Sequence, residues 1–299
     1  MADDRLDILV AGSGVMGRGI AASFAQAGLA TAVLSRNPDA VDPAQFACPV
    51  IGDLPAAPPR LIIESVPEVL EMKQQFNGRI EAAYGGAPIL ASNTSSLSLQ
   101  TLADGLAHPH RYCGIHYFQP ADVAPVVELA RVAQTDEAAM AEANALLERS
   151  GKTVLRLNRP VDGLLINRLQ HAILHEAYHL IEAGICTARD VDLAAKQMLG
   201  PRMSVTGLIE QKDLSGLDTH ALAQAQLVPL LHHGAEASRV VQTKYAGNRL
   251  GVKTGTGFYD WRQADVAGYQ AETRRVLNAI LEILDRERPD GPPLAPDEA

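Results

Sequence analysis

Two short stretches of this sequence place residue types that can do chemistry at the spacing the chemistry needs. In "GSGVMG" the glycines Gly12, Gly14 and Gly17 match a turn with a separate task for each. The first permits the tight bend, the second lets a pyrophosphate approach the backbone, and the third lets helix and strand pack closely. Phosphates held there sit on the N-terminus of the following helix, where backbone N–H groups and the helix dipole favour an anion. In "HEAYH", His175–His179, two histidines one helical turn apart flank a glutamate. That is the arrangement of a helix that holds zinc while the glutamate activates water.

The zinc reading needs a third ligand and an open coordination position. The extended form of the pattern puts another histidine at position 185, which is Ile185, and nothing around Glu210 resembles a ligand-bearing helix. His171, His175 and His179 share one gently drifting helical face, while Leu169, Ile173, Ala177 and Leu180 form an apolar stripe of the kind that packs against a neighbour. HEAYH therefore reads as a coincidence on a packing helix, and no metal site is assigned. The histidine face is left open as solvated, dimer-facing or metal-holding.

The glycine turn needs a strand before it and a helix behind it, and both are present. An apolar run covers Leu6–Val10, and small and apolar residues recur at helical spacing after the turn until Gly28 supplies a cap. "TAVLSR", "RLIIESV", "APILAS", "RYCGIHYF", "PVVELARV" and "TVLRLN" read as further strands, with helices over "VLEMKQQFNGRIEAA" and Asp136–Arg149. This alternation implies an α/β protein whose N-terminal part, residues 1–158, is a doubly wound Rossmann domain. Residues 159–299 read as a mostly helical second domain. It opens on the amphipathic "RPVDGLLINRLQHAILHEAYHLIEAGI", shows one late strand pattern in "GTGFYDW", and carries a final helix over "ADVAGYQAETRRVLNAILEIL". The acidic, proline-rich "ERPDGPPLAPDEA" at its end has little reason to pack.

The chain of 299 residues is 47% hydrophobic and 20% charged, with no apolar run long enough to cross a bilayer, as expected of a soluble globular protein. A net charge of −9 without a basic cluster argues against nucleic acid and anionic membranes as partners and leaves a small-molecule substrate. Cys48, Cys113 and Cys186 form no CxxC pair and no signal peptide is visible, which points to the reducing cytoplasm. At the end of the second strand, where an NAD site offers a carboxylate to the ribose, stand Ser35, Arg36 and Asn37. The missing carboxylate removes repulsion toward a ribose phosphate, and Arg36 can pair with one. The sequence thus favours NADP and leaves NAD possible.

Taken in order, "GSGVMG", "ESVPEVLEMK", "SNTSSL", "GIHYFQP", "VVEL", "DGLLINR" and "TGTGFYDW" resemble the 3-hydroxyacyl-CoA dehydrogenases across most of residues 6–261. The resemblance implies a dinucleotide domain, a helical domain that usually makes a homodimer, and oxidation of a secondary alcohol beta to a carbonyl. It implies that His116 is the catalytic base, Glu128 its carboxylate partner, Ser95 a hydrogen-bonding partner of the reacting oxygen, and Asn167 the residue that helps place substrate and histidine. It also puts Glu68 and Lys73 near the nicotinamide, with Met16 and Asn93 in the cofactor set, although a lysine on an amphipathic helix can equally be a solvated one. These roles are chemically sound. Alcohol oxidation needs a base as hydride leaves, imidazole titrates near neutral pH, and a paired carboxylate orients the ring and stabilises the imidazolium.

Three departures narrow the expectation. Only the 25 residues Arg36 to Arg60 separate the second strand from the third, rich in proline and alanine, where the family has a helical hairpin that clasps CoA. Tyr117 and Gln119 stand where the family usually has phenylalanine and asparagine, predicting a more polar pocket wall. Ser35 and Arg36 replace the acidic residue of NAD-using members. The hydride chemistry is kept, with a 3-hydroxyacyl-CoA or a related 3-hydroxy acid as substrate and a small compound without CoA as the alternative. Arg168 and Lys212 are candidate cations for its acid group. A cofactor-binding protein that has lost its substrate site is the reading from a different class.

Overall fold

A computed structural model describes residues 5–287, which divide into two compact units after Leu169. The first unit runs β1 (Ile8–Ala11), α1 (Val15–Gln26), β2 (Thr31–Leu34), β3 (Val50–Ile51), β4 (Leu61–Glu64), α2 (Leu70–Tyr84), β5 (Ile89–Ser92), α3 (Leu99–Ala103), β6 (Tyr112–Tyr117), β7 (Val126–Arg131), α4 (Glu137–Arg149) and β8 (Thr153–Leu157). The strands form one sheet in the order β3-β2-β1-β4-β5-β6-β7-β8. Strands β1, β2, β4 and β5 are buried at every position, as parallel strands covered on both faces must be, which is why they read as continuous apolar runs. Alternate residues face opposite layers. Ile8 and Val10 pack with Ile20 and Phe24 of α1 and Met140 and Leu147 of α4, while Leu9 and Ala11 pack with Ile80 of α2 and Leu102 of α3.

One feature departs from the sequence reading. Strand β7 runs antiparallel to β6, whereas all other neighbours are parallel; the short connection between them has no room for a crossover helix. The segment after β2 holds single 3₁₀ turns at Pro38–Ala40 and Pro43–Gln45 and the two-residue β3, and no helical hairpin.

Helix α5 (Leu165–Glu182) starts in the first unit and continues into the second. It begins later than the amphipathic pattern suggests because Gly163 and Leu164 hold φ of 80° and 53°, outside the helical region. The second unit continues with α6 (Ala188–Ala194), a π-helical turn over Ala195–Leu199, α7 (Gly200–Thr206), α8 (Glu210–Ser215), α9 (Leu217–Leu227), α10 (Arg239–Ala246) and α11 (Val266–Glu287). "GTGFYDW" forms isolated bridges, Gly251 with Thr256 and Thr256 with Asp260, in place of a strand. The proline-rich tail beyond Glu287 lies outside the described residues.

Candidate active site

A cleft of roughly 1410 Å³ opens in the first unit beyond the C-terminal ends of its parallel strands, bordered by Ala11, Leu34, Ser65, Asn93 and Tyr117, where an open α/β sheet binds its ligands. The glycine turn forms its floor. Gly12 holds φ of +117° and a Cβ there would lie 2.5 Å from the Ser65 carbonyl oxygen; a Cβ on Gly17 would lie 1.9 Å from that of Gly12. Both positions exclude any side chain. Above Gly14, the N-cap of α1, nothing lies within 4 Å of where a Cβ would be, so the turn leaves a cradle in which the helix amides face open space. Met16 lines the same wall.

Ser35, Arg36 and Asn37, in the turn after β2, border the cleft, and Arg79 from α2 lines it as well. Ser35 Oγ lies 3.1 Å from Ser13 Oγ and accepts from the Asn37 amide at 3.3 Å, which fixes the turn after β2. Neither Arg36 nor Arg79 forms an ion pair with a described residue. Arg79 escaped the sequence reading, although Met72, Gln75, Phe76 and Arg79 recur at helical spacing along the cleft wall.

His116, Asn93, Ser95, Phe118, Gln119 and Asn167 line the cleft as well. His116 on β6 and Glu128 on β7 are directly opposed in the antiparallel register, so both side chains leave the same face of the sheet. His116 Nδ1 lies 2.7 Å from Glu128 Oε2. Glu128 is fully buried, and its Oε1 accepts from the backbone amides of Leu165 and Ile166, both at 2.8 Å. The Phe118 ring meets His116 edge-on at 4.5 Å. Asn167 Nδ2 donates to the Ser95 carbonyl at 3.3 Å. Asn93 accepts from the Tyr117 amide at 2.8 Å and donates to Ser65 Oγ at 3.3 Å.

Glu68 lines the cleft, but its Oε1 is occupied by Thr94 Oγ1 at 2.6 Å, the Ser95 amide at 2.9 Å, and the Ser96 amide and hydroxyl at 3.0 and 3.1 Å. Burial alone would raise its carboxyl; the Thr94 hydroxyl, the Lys73 charge and the two amides outweigh it and bring it down to about 2. Glu68 thus braces the segment that carries Ser95. Lys73 corrects the solvated reading. It is neither on the cleft wall nor solvated: only 1% exposed, it donates to both Glu64 oxygens at 2.9 and 2.8 Å and pairs with Glu68 at 3.3 Å. Ser92 also donates to Glu64. Burial, against Lys73 and Ser92, pushes the Glu64 carboxyl above its ordinary range. The signal for this pair was a carboxylate closing a wholly apolar strand, which has to find a partner inside.

Tyr117 is a second correction. Gln119 and Tyr117 both border the cleft, but the Tyr117 ring packs in the core, and its hydroxyl is buried near the Ser23 and Ser150 hydroxyls without a hydrogen bond of good geometry. Arg168 donates to the Asp162 carbonyl at 3.2 Å and is absent from the cleft wall, while Lys212 lies in the second unit. In that unit His175 Nε2 donates to the Gly234 carbonyl at 2.7 Å, Glu176 accepts from the His232 amide at 2.8 Å, and the His179 and His232 rings stack at 4.3 Å. Among the described residues no group of three histidine, cysteine or acidic side chains is arranged to hold a metal.

The family model of the 3-hydroxyacyl-CoA dehydrogenase NAD-binding domain matches residues 7–48 and 54–160, and that of the C-terminal domain matches residues 163–261. The chain belongs to the 3-hydroxyacyl-CoA dehydrogenase family. It is an oxidoreductase of that type, with an NAD-binding Rossmann domain. Among its relatives, the 5-formyl-3-hydroxy-2-methylpyridine 4-carboxylate 5-dehydrogenase of Mesorhizobium japonicum is 26% identical, over 93% of this chain and 98% of that protein. L-carnitine dehydrogenase of Streptomyces coelicolor is 31% identical, over 73% of this chain and 65% of that one. A crystal structure of a 5-formyl-3-hydroxy-2-methylpyridine 4-carboxylic acid 5-dehydrogenase, described as an NAD+ dependent dismutase, superposes with a TM-score of 0.89 at 25% identity, covering 94% of this chain and 99% of that one. No described helix is long and apolar enough to cross a membrane.

Proposed function

We propose that this dehydrogenase transfers hydride between NADP and the hydroxyl-bearing carbon of a small 3-hydroxy acid that is not carried on CoA. The observation that carries the substrate reading is the connection between β2 and β4, which offers single turns and a two-residue strand where a CoA-clasping hairpin would stand. Two relatives whose names specify a pyridine carboxylate and carnitine support it, since neither name involves CoA.

The side-chain-free cradle over Gly14 at the N-terminus of α1 fits a dinucleotide pyrophosphate. Once bound, a nicotinamide supplies the hydride acceptor or donor. The remaining chemistry falls to the chain itself. His116 donates its Nδ1 proton to Glu128 and so keeps Nε2 free to take the hydroxyl proton in oxidation or return it in reduction. Ser95 and Asn167, joined through the Ser95 carbonyl, hold the substrate oxygen. For the cofactor's ribose phosphate, Arg36, between Ser35 and Asn37, supplies a guanidinium without an ion pair, and Arg79 lines the same cleft. Glu68, the one carboxylate on the cleft wall among the described residues, already has its hydrogen bonds made. Affinity for NADPH should exceed that for NADH by at least about tenfold, as expected for one charge-assisted phosphate contact. Equal affinities in a fluorescence titration would return the site to NAD.

Substrate class is tested by following reduced-nicotinamide absorbance with acetoacetyl-CoA and with free 3-oxo acids in parallel. Turnover of the free acids with higher kcat/KM supports the proposal. Preference for the thioester would show that CoA is accommodated without the hairpin. The apolar residues that the second unit leaves uncovered, among them Ile209, 81% exposed, and Leu230, 78% exposed, favour a homodimer, since monomers rarely expose so much large apolar surface. Sedimentation equilibrium at twice the chain mass is the expected result. The three free cysteines fit the reducing cytoplasm.

A further inference from the structure

Glu128 has two partners, and only one of them belongs to the proton-transfer pair. Its Oε2 faces His116, while its Oε1 is held by the amides of Leu165 and Ile166. Those are the first two amides of α5, an 18-residue helix, and a helix leaves its first amides without partners of its own. Glu128 caps α5 from a strand 37 residues earlier in the chain.

We propose that the N-terminus of α5, acting through Glu128, governs how tightly His116 holds its proton. Two amide donors and the positive end of the helix dipole favour the ionised carboxylate and draw part of its charge away from the imidazole. An imidazolium beside a carboxylate shared in this way is stabilised less than one beside a carboxylate given wholly to the ring. Among the described residues no other charged side chain bonds to His116 or Glu128. Strand β6 offers His116 and the core-buried Tyr117, β8 sets Leu155 beside Glu128, Arg168 in the first turn of α5 is turned to the Asp162 carbonyl, and Glu68 on the cleft wall is paired with Lys73. The consequence for catalysis rests on His116 being the base.

The test replaces Ile166 by its α-hydroxy acid analogue, which converts one amide into an ester, removing the N–H and keeping the side chain. The same change at Leu169, whose amide lies inside the helix, weakens α5 without touching Glu128. The titration of His116, followed by nitrogen-15 NMR in the full-length protein, requires no turnover. Its midpoint should rise by about half a pH unit or more in the residue-166 ester, as loss of one charge-assisted bond implies, and stay in place in the residue-169 ester. The acid limb of kcat/KM for alcohol oxidation should rise with it. A midpoint unmoved at 166, or moved equally at 169, overturns the inference. A midpoint that moves while the rate profile stays fixed upholds the inference and removes His116 as the base. Should the residue-166 ester fail to fold, the residue-165 ester removes the other amide and is read in the same way.

Discussion

The two units use apolar residues differently. In the first, four parallel strands are buried end to end, and even the charges of Glu64, Lys73 and Glu128 lie inside with their partners. In the second, Ala177 is the one buried residue between Gln170 and Glu287, while Leu214, Leu217, Leu222, Leu227 and Leu230 all stand exposed. The contrast separates two uses of a hydrophobic pattern. One builds a core within the chain. The other leaves apolar side chains open, as Val276, Leu277, Ile280 and Ile283 do at helical spacing along α11.

If chemistry belongs to the first unit, its histidine and that of the HEAYH helix should behave oppositely on removal. His116→Ala should lower kcat by at least about a thousandfold, the scale of losing a general base in a paired site, with cofactor affinity nearly unchanged. His175→Ala should leave turnover within about twofold, since it touches a backbone carbonyl in the other unit. Loss of cofactor binding in His116→Ala would make that residue structural. Loss of turnover in His175→Ala would break the comparison.

Lysines sharpen it next. Lys73→Met strands Glu64 in the core and should destabilise the protein by about 3–5 kcal/mol, the scale of breaking a buried ion pair. Lys253→Met, at an exposed position in the second unit, should change stability by less than about 0.5 kcal/mol. Urea unfolding of both variants decides the matter, and similar losses would mean that Lys73 is not held as the structure has it.

A smaller effect follows from Glu68. Its carboxyl sits at about 2 in the folded chain against an ordinary 4.5. A depressed carboxyl contributes stability that is present above the ordinary value and is lost as pH falls toward the folded one. Between about pH 5 and about pH 3 the urea midpoint of the wild type should therefore fall more than that of Glu68→Gln. Parallel declines would show that the Thr94–Ser96 segment does not depend on the ionised carboxylate.

What the sequence made legible follows the same division. The strand, glycine turn and helix over Leu6–Gly28 announce themselves because each step is local, and the order of motifs brought His116, Glu128, Ser95 and Asn167 within reach of one another. What stayed hidden depends on long-range partners. The amides of Leu165 and Ile166 meet Glu128 across 37 and 38 residues, and no spacing rule links them. The antiparallel turn from β6 to β7 was masked because a buried strand of either direction reads as an apolar run. Lys73 looked like any helix lysine because its partners, Glu64 on β4 and Glu68 in the loop, depend on how α2 lies across the sheet.

The smallest effect concerns Tyr117, where sequence and structure part. A tyrosine in place of the family's phenylalanine suggested a polar cleft wall, but its hydroxyl is buried without a hydrogen bond of good geometry, and burial pushes the phenol upward by more than the Ser23 and Ser150 hydroxyls lower it. An unpaired buried hydroxyl carries its desolvation penalty with no hydrogen bond in return. Tyr117→Phe should therefore be neutral or should stabilise the first unit by up to about 1 kcal/mol, with KM and cofactor preference unchanged. A raised KM would mean that the hydroxyl reaches the cleft after all, and that the polar wall read from the sequence was the better description.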